Sequence, residues 1–209
     1  PYSGTATINN NQGLTLSASG TLYALTINSL AGNVLHLNGK TLRLAGNFTN
    51  SALTLNTMGL NASVANSKLH FIGTAYQTIS FGNQTFGGVV TAPDLEVSNT
   101  FFNNTVSSGA TVSGTGTVNS LTVNANSNLQ VGNINLNVKG QIVNNGQIFA
   151  SGTNTAASIT FNGNVVQNIS GTGSWNQIEV NPGANRFPGF VVNNTSGSNP
   201  AVNLNQNVA

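Results

Sequence analysis

One phrase of this chain occurs twice, and that repetition limits what the whole can fold into. Residues 69–80 read Leu-His-Phe-Ile-Gly-Thr-Ala-Tyr-Gln-Thr-Ile-Ser, and residues 159–170 read Ile-Thr-Phe-Asn-Gly-Asn-Val-Val-Gln-Asn-Ile-Ser. Phe71 aligns with Phe161, Gly73 with Gly163, Gln77 with Gln167, Ile79 with Ile169 and Ser80 with Ser170, at a constant offset of 159 − 69 = 90. Each copy alternates apolar and polar residues, reaches a glycine, turns through polar residues and becomes apolar again. That is a strand, a turn and a strand, and recurrence at a fixed period is the signature of repeat architectures. The phrase is read as specifying one coil of a repeating structure.

Echoes extend to both sides. Residues 13–22 match 109–118 at an offset of 96, residues 46–48 match 140–142 at 94, and residues 95–97 match 178–180 at 83. The offset shrinks while the apolar triplets survive, as expected when loops vary and strands build the core. The chain therefore divides into duplicated units at 7–102 and 103–187, with a partial third unit at 188–209, inside one continuous domain, 1–209. Apolar-x-apolar triplets at 14–16, 25–27, 42–44, 53–55 and 134–136 have the period of strands, and Gly, Asn and Ser separate them. The fold class expected is all-β, a right-handed parallel β-helix or β-solenoid. Tandem immunoglobulin-like sandwiches are the alternative, since such domains are about 100 residues long. Very short strands, the absence of a polar linker and Asn in the turns, placed to form amide ladders between coils, favour the solenoid. Coils of about 20–25 residues would give eight to ten, stacked at about 4.8 Å.

Composition removes several function classes. Only 4% of the 209 residues are charged, and five basic residues, Lys40, Arg43, Lys68, Lys139 and Arg186, are scattered along the chain. A nucleic-acid surface needs them clustered, so no nucleic-acid partner is expected. There is no cysteine, hence no disulfide framework or thiolate metal site. No apolar run approaches the roughly 18 residues of a membrane span.

Residues 35–50, Leu-His-Leu-Asn-Gly-Lys-Thr-Leu-Arg-Leu-Ala-Gly-Asn-Phe-Thr-Asn, resemble a phrase common in very large surface proteins of Bacteroidota. Residues 159–170 followed by Trp175-Asn-Gln-Ile-Glu-Val-Asn are similar to a second phrase of the same proteins. That family includes adhesins exported by the type IX route, the filamentous gliding adhesin of flavobacteria among them. The resemblance implies an extracellular, cell-surface segment, flanked by repeats of the same parent chain, that serves adhesion as stalk or contact surface. Its partners would be surface polysaccharide or a solid substratum. The family supplies no catalytic motif.

The chemistry-bearing residues are few. Asp94, Glu96 and Glu179 are the only acids. Asp94 and Glu96 share a face in an extended segment, but Glu179 repeats the Glu96 slot, which favours outward, solvated carboxylates over the paired acids of a polysaccharide-active enzyme. His36 and His70 each sit between apolar residues and point outward, and no convergent ligands accompany them, so neither metal nor cofactor is expected. Thr5-Ala-Thr7 and Thr115-Gly-Thr117 do not recur at coil spacing, which argues against an ice-binding threonine ladder. Phe48, Phe71, Phe81, Phe86, Phe101, Phe102 and Phe161 are expected inside. Tyr76 and Trp175 lie in turn-like stretches and are the candidate contacts for a sugar, in the alternative reading of a carbohydrate-binding module.

Overall fold

A computed structural model describes residues 4–9, 13–28, 34–51, 59–81, 92–102, 109–114, 116–151, 155–175 and 185–207. Among them there is no helix, and the strands come in circuits. The first circuit is β1 (Thr5–Ile8), β2 (Leu14–Thr15) and β3 (Gly20–Leu22). The second is β4 (Ala24–Ile27), β5 (Val34–His36) and β6 (Thr41–Leu44), and the third β7 (Phe48–Asn50), β8 (Gly59–Asn61) and β9 (Lys68–Phe71). The fourth holds β10 (Gln77–Ser80) and β11 (Asp94–Val97), with 82–91 between them outside the described residues. Then follow β12 (Ala110–Ser113), β13 (Gly116–Val118) and β14 (Leu121–Val123), and next β15 (Asn128–Val131), β16 (Asn135–Val138) and β17 (Ile142–Asn144). The seventh is β18 (Gln147–Ser151), β19 (Ser158–Phe161) and β20 (Gln167–Ser170), and the eighth β21 (Asn185–Arg186), β22 (Gly189–Val192) and β23 (Val202–Leu204).

The opening strands of the circuits form one eight-stranded sheet, sheet I, in the order β1-β4-β7-β10-β12-β15-β18-β21. The closing strands form a second, sheet III, in the order β3-β6-β9-β11-β14-β17-β20-β23. Middle strands make the three-stranded sheet IIa (β2-β5-β8) and the four-stranded sheet IIb (β13-β16-β19-β22). Pairing is parallel throughout except for β18 with β21, which is antiparallel. Immunoglobulin-like sandwiches are built from antiparallel sheets, so the pairing departs from that alternative. Among the parallel pairs the step between paired residues runs from 148 − 129 = 19 for Leu129 and Ile148 to 202 − 167 = 35 for Gln167 and Val202. Residues are added and lost in the connections, never in the register. The expected strand at 53–55 and the echo at 178–180 lie outside the described residues.

Period two explains the burial. In β4, β6, β9 and β11 the apolar positions are buried and the intervening ones face outward. Inward residues then stack rung on rung, as Leu42, Leu69, Leu95 and Leu121 do in sheet III. Each fully buried Leu, Ile, Val or Phe contributes roughly 1.5–3 kcal/mol of burial. Phe48 meets Phe71 and Phe81 edge to face, with ring centroids 6.5 and 5.9 Å apart. Phe102, expected inside, is 49% exposed, and Phe86 lies outside the described residues.

The repeated phrase turns out to specify a corner, not a coil. Its first copy runs from β9 to β10, from sheet III to sheet I, whereas its second runs from β19 to β20, from sheet IIb to sheet III. The other echoes move the same way: β4 matches β14, β5 matches β15 and β7 matches β17, always ten strands on. Because the fourth circuit contributes two described strands, ten strands on is one side short of four circuits.

The two corners nevertheless make one set of bonds. Gln77 Oε1 accepts from the Gly73 N–H (2.9 Å) and Asn99 Nδ2 (2.7 Å), while its Nε2 donates to Leu44 O (3.1 Å) and Gly46 O (2.6 Å). Gln167 Oε1 accepts from the Gly163 N–H (2.9 Å) and Asn194 Nδ2 (2.8 Å), and its Nε2 donates to Val138 O (2.9 Å) and Gly140 O (2.7 Å). Both amides are fully buried and use all their hydrogen-bonding capacity, tying three successive circuits together. The glycine of the phrase is needed for room: a Cβ at Gly73 would lie 2.7 Å from Ala45 O and 2.6 Å from the Gln77 amide. These amides bond backbone and an Asn amide of neighbouring circuits, and Asn-to-Asn bonds join Asn168 with Asn203 and Asn205.

Replacing Gln77 by Leu strands the buried Gly46 carbonyl and the buried Gly73 N–H, while Leu44 O keeps its bond from the Ile72 N–H, so we expect a loss of about 2–4 kcal/mol, against less than about 0.5 kcal/mol for Thr78→Ala on the outer face. Gln167→Leu should match Gln77→Leu. Urea unfolding of the variants measures each difference.

Candidate functional site

Two outward faces differ sharply in chemistry. The first is on sheet III, where strand register does what chain order conceals. Arg43, His70 and Glu96 occupy one outward column on β6, β9 and β11, and Thr41, Lys68 and Asp94 occupy the next. Charges scattered in the sequence are thus gathered on three neighbouring strands. Lys68 Nζ lies 2.7 Å from Glu96 Oε2, and Asn124 Nδ2 donates to Glu96 Oε1 at 2.8 Å. Asp94 Oδ1 accepts from Asn119 Nδ2 and Ser120 Oγ, both at 2.7 Å. Ser98 Oγ accepts from Asn124 Nδ2 (2.8 Å) and lies 2.8 Å from His70 Nε2, an arrangement satisfied when Nε2 is the acceptor.

Glu96 is therefore a paired, half-buried carboxylate, where the sequence suggested a solvated one. Burial pushes its pKa up, but the hydrogen bonds from Lys68 and Asn124 and the charges of His70 and Lys68 outweigh that and hold it below the usual carboxylate range. His70 is lowered, chiefly by burial, with Glu96 opposing and Arg43 and Lys68 reinforcing the shift. Asp94 and Glu96 do share a face, as expected, yet each is engaged by its own neighbours. His36 lies on sheet IIa and His70 on sheet III, so the histidines do not converge. Among the described residues no group of three or more His, Cys, Asp or Glu side chains could hold a metal ion. No helix there is long and apolar enough to cross a membrane.

The second face is on sheet I. Thr7, Thr26, Thr49, Ser80 and Ser113 pair in register on β1, β4, β7, β10 and β12, giving one hydroxyl on each of five consecutive rungs. Beside them runs a column of Thr5, Ala24, Asn47, Thr78 and Thr111. A mixed ladder of threonine and serine hydroxyls thus exists, built from single residues of successive strands; a search for Thr-x-Thr spacing misses it because the register steps are unequal. None of these five strands carries a charged residue. Gln130 and Phe149, on the rungs beyond Thr111, are buried.

Of the two candidate sugar contacts, Tyr76 is exposed (41%) and Trp175 is not (1%). Trp175 packs on Phe190 and Phe187, ring centroids 5.1 and 5.9 Å away, so neither face of its indole is open to a ligand. Sequence reading missed Tyr23, 53% exposed, and Phe102. Tyr23, Tyr76 and Phe102 all lie in connections from sheet III to sheet I, along one edge of the molecule. Clefts are small and open: one of about 280 Å³ beside Asp94, Asn66 and Asn119, another of about 420 Å³ beside Phe102, Asn126 and Thr172. No family model, curated protein or solved structure matches the chain.

Both shifted groups set a direction for pH. Each binds its proton less readily when folded, so the stability they contribute is present at neutral pH and lost on acidification. Loss should begin as the pH falls below His70's ordinary 6.5 and steepen below Glu96's ordinary 4.5. Urea midpoints over a pH series should show both limbs, and His70→Gln should flatten the first while only weakening the second, since Lys68 and Asn124 still hold Glu96.

Proposed function

We propose that the chain is a right-handed parallel β-solenoid serving as a structural and adhesive segment, stalk or contact surface, of a large bacterial cell-surface protein. The observation that carries this is the pair of eight-stranded sheets, parallel but for β18 with β21, whose strands alternate along the chain. Parallel strands joined by crossovers are right-handed in nearly all proteins. With seven steps of about 4.8 Å between eight rungs, sheet I spans about 34 Å, and the inward residues make one continuous core along it. Low charge suits a body that stacks on itself and approaches uncharged surfaces, since little repulsion has to be overcome.

The resemblance to type IX-exported adhesins of Bacteroidota supports the extracellular location and adhesion, gliding included. A non-enzymatic role fits the acids, because Asp94 and Glu96 are each engaged by their own neighbours, Asn119 and Ser120 for the one and Lys68 and Asn124 for the other. The sugar-binding alternative built on Tyr76 and Trp175 loses support with the indole buried.

Beads coated with the protein should be retained on polysaccharide-bearing or solid surfaces under flow, well above albumin-coated beads. Retention no better than albumin overturns the adhesive reading. Release of oligosaccharide from any polysaccharide, abolished by Glu96→Gln, overturns the non-enzymatic one.

A further inference from the structure

We propose that the outer face of sheet I, with the aromatic edge beside it, is a binding strip for a neutral polysaccharide chain lying along the stack of circuits. The inference rests on the adhesive reading and gives it a surface and a ligand class. The free valences point there. On sheet III the polar groups of Lys68, His70, Asp94 and Glu96 bond one another or Ser98, Asn119, Ser120 and Asn124. On sheet I the hydroxyls of Thr7, Thr26, Thr49, Thr78 and Ser80 have no partner among the described residues, and Asn47 engages only its Oδ1, which accepts from the Thr78 N–H. These are half-buried or exposed side chains on neighbouring parallel strands. A row of unengaged donors and acceptors without charge matches a ligand that presents hydroxyls without charge.

Spacing and aromatics narrow the ligand further. Hydroxyls recur at about 4.8 Å along the stack and the two columns are about 6.7 Å apart, so from Thr7 to Ser113 the strip runs about 19 Å. That length accommodates an extended oligosaccharide, whose own hydroxyls repeat along it. Tyr23, Tyr76 and Phe102 border the strip on one side, and the Tyr23 ring lies across Gly46 of the following circuit. Exposed aromatic faces stack on the C–H faces of sugar rings, whereas an anion would want cations, and the five strands have none. Ordered water on a hydroxyl ladder is the competing occupant. An ice-facing array gains nothing from an aromatic border, so the border favours the glycan.

The test is retention of the whole chain on insoluble neutral glycans, a β-glucan, a xylan and chitin, with Thr49→Lys and Tyr76→Ala on the strip and Thr122→Lys on sheet III as an equal-charge control. At least one neutral glycan should retain the parent chain, with about tenfold weaker retention for each strip variant and none lost in the control. Matching circular dichroism and urea midpoints confirm that the variants fold. Equal retention of Thr49→Lys and Thr122→Lys overturns the strip while leaving bead adhesion, and so the broader reading, intact. Retention by acidic polysaccharide alone, abolished by salt, also overturns it. So does inhibition of ice recrystallisation that Thr49→Lys removes and no neutral glycan competes for.

Discussion

The fold depends on a buried glutamine amide. At a corner the backbone must leave one sheet and enter the next, and its N–H and C=O groups there have no strand to pair with. Gln77 and Gln167 meet that need from the inside: each spans to the carbonyls of the preceding circuit, caps the glycine N–H of its own and receives an Asn amide from the following one. Two donors and two acceptor sites are present and all are used. Because three of the four partners are backbone atoms, the bond set tolerates changes in most of the surrounding side chains. That is why Gly, Gln and the apolar positions persist between copies while His70 becomes Thr160.

Much of the fold was legible because its signals are local. Period two gives strands, Gly and Asn give turns, and short triplets without linkers give many circuits of small perimeter. The phrase around Gln77 also announced itself by repetition. What stayed hidden was phase. Copies ten strands apart look like copies of a whole coil until the sheets are assigned, since nothing in the phrase says which side it belongs to. The outward columns were hidden for a related reason: steps of 19 to 35 residues separate side chains that touch, so neither the charged group around Glu96 nor the hydroxyl ladder has a sequence period. Trp175 misled by its company. Gly and Ser precede it, as in an exposed turn, but Phe187 and Phe190 cover it.

The division of chemistry between faces follows from the same geometry. Outward positions are free of packing constraint, so each face can hold its own character across many rungs. Sheet III concentrates the scarce charges where they neutralise one another and are partly withdrawn from water. Sheet I keeps small hydroxylated residues that fit a closely spaced surface. A chain with so few ionisable groups thereby has one face whose carboxylates are engaged by their neighbours and another whose hydroxyls, Thr111 apart, have no partner among the described residues.

The displacement of the duplication by one side has a geometrical consequence. If copies fell on whole circuits, a feature encoded in the unit would recur along a single meridian. A shift one side short of four circuits rotates each copy by a third of a turn about the stack. Two more such copies would bring the pattern back to its starting meridian, having shown it in every direction. A duplication event that ignores the circuit boundary can therefore distribute one surface pattern around a body and not only along it.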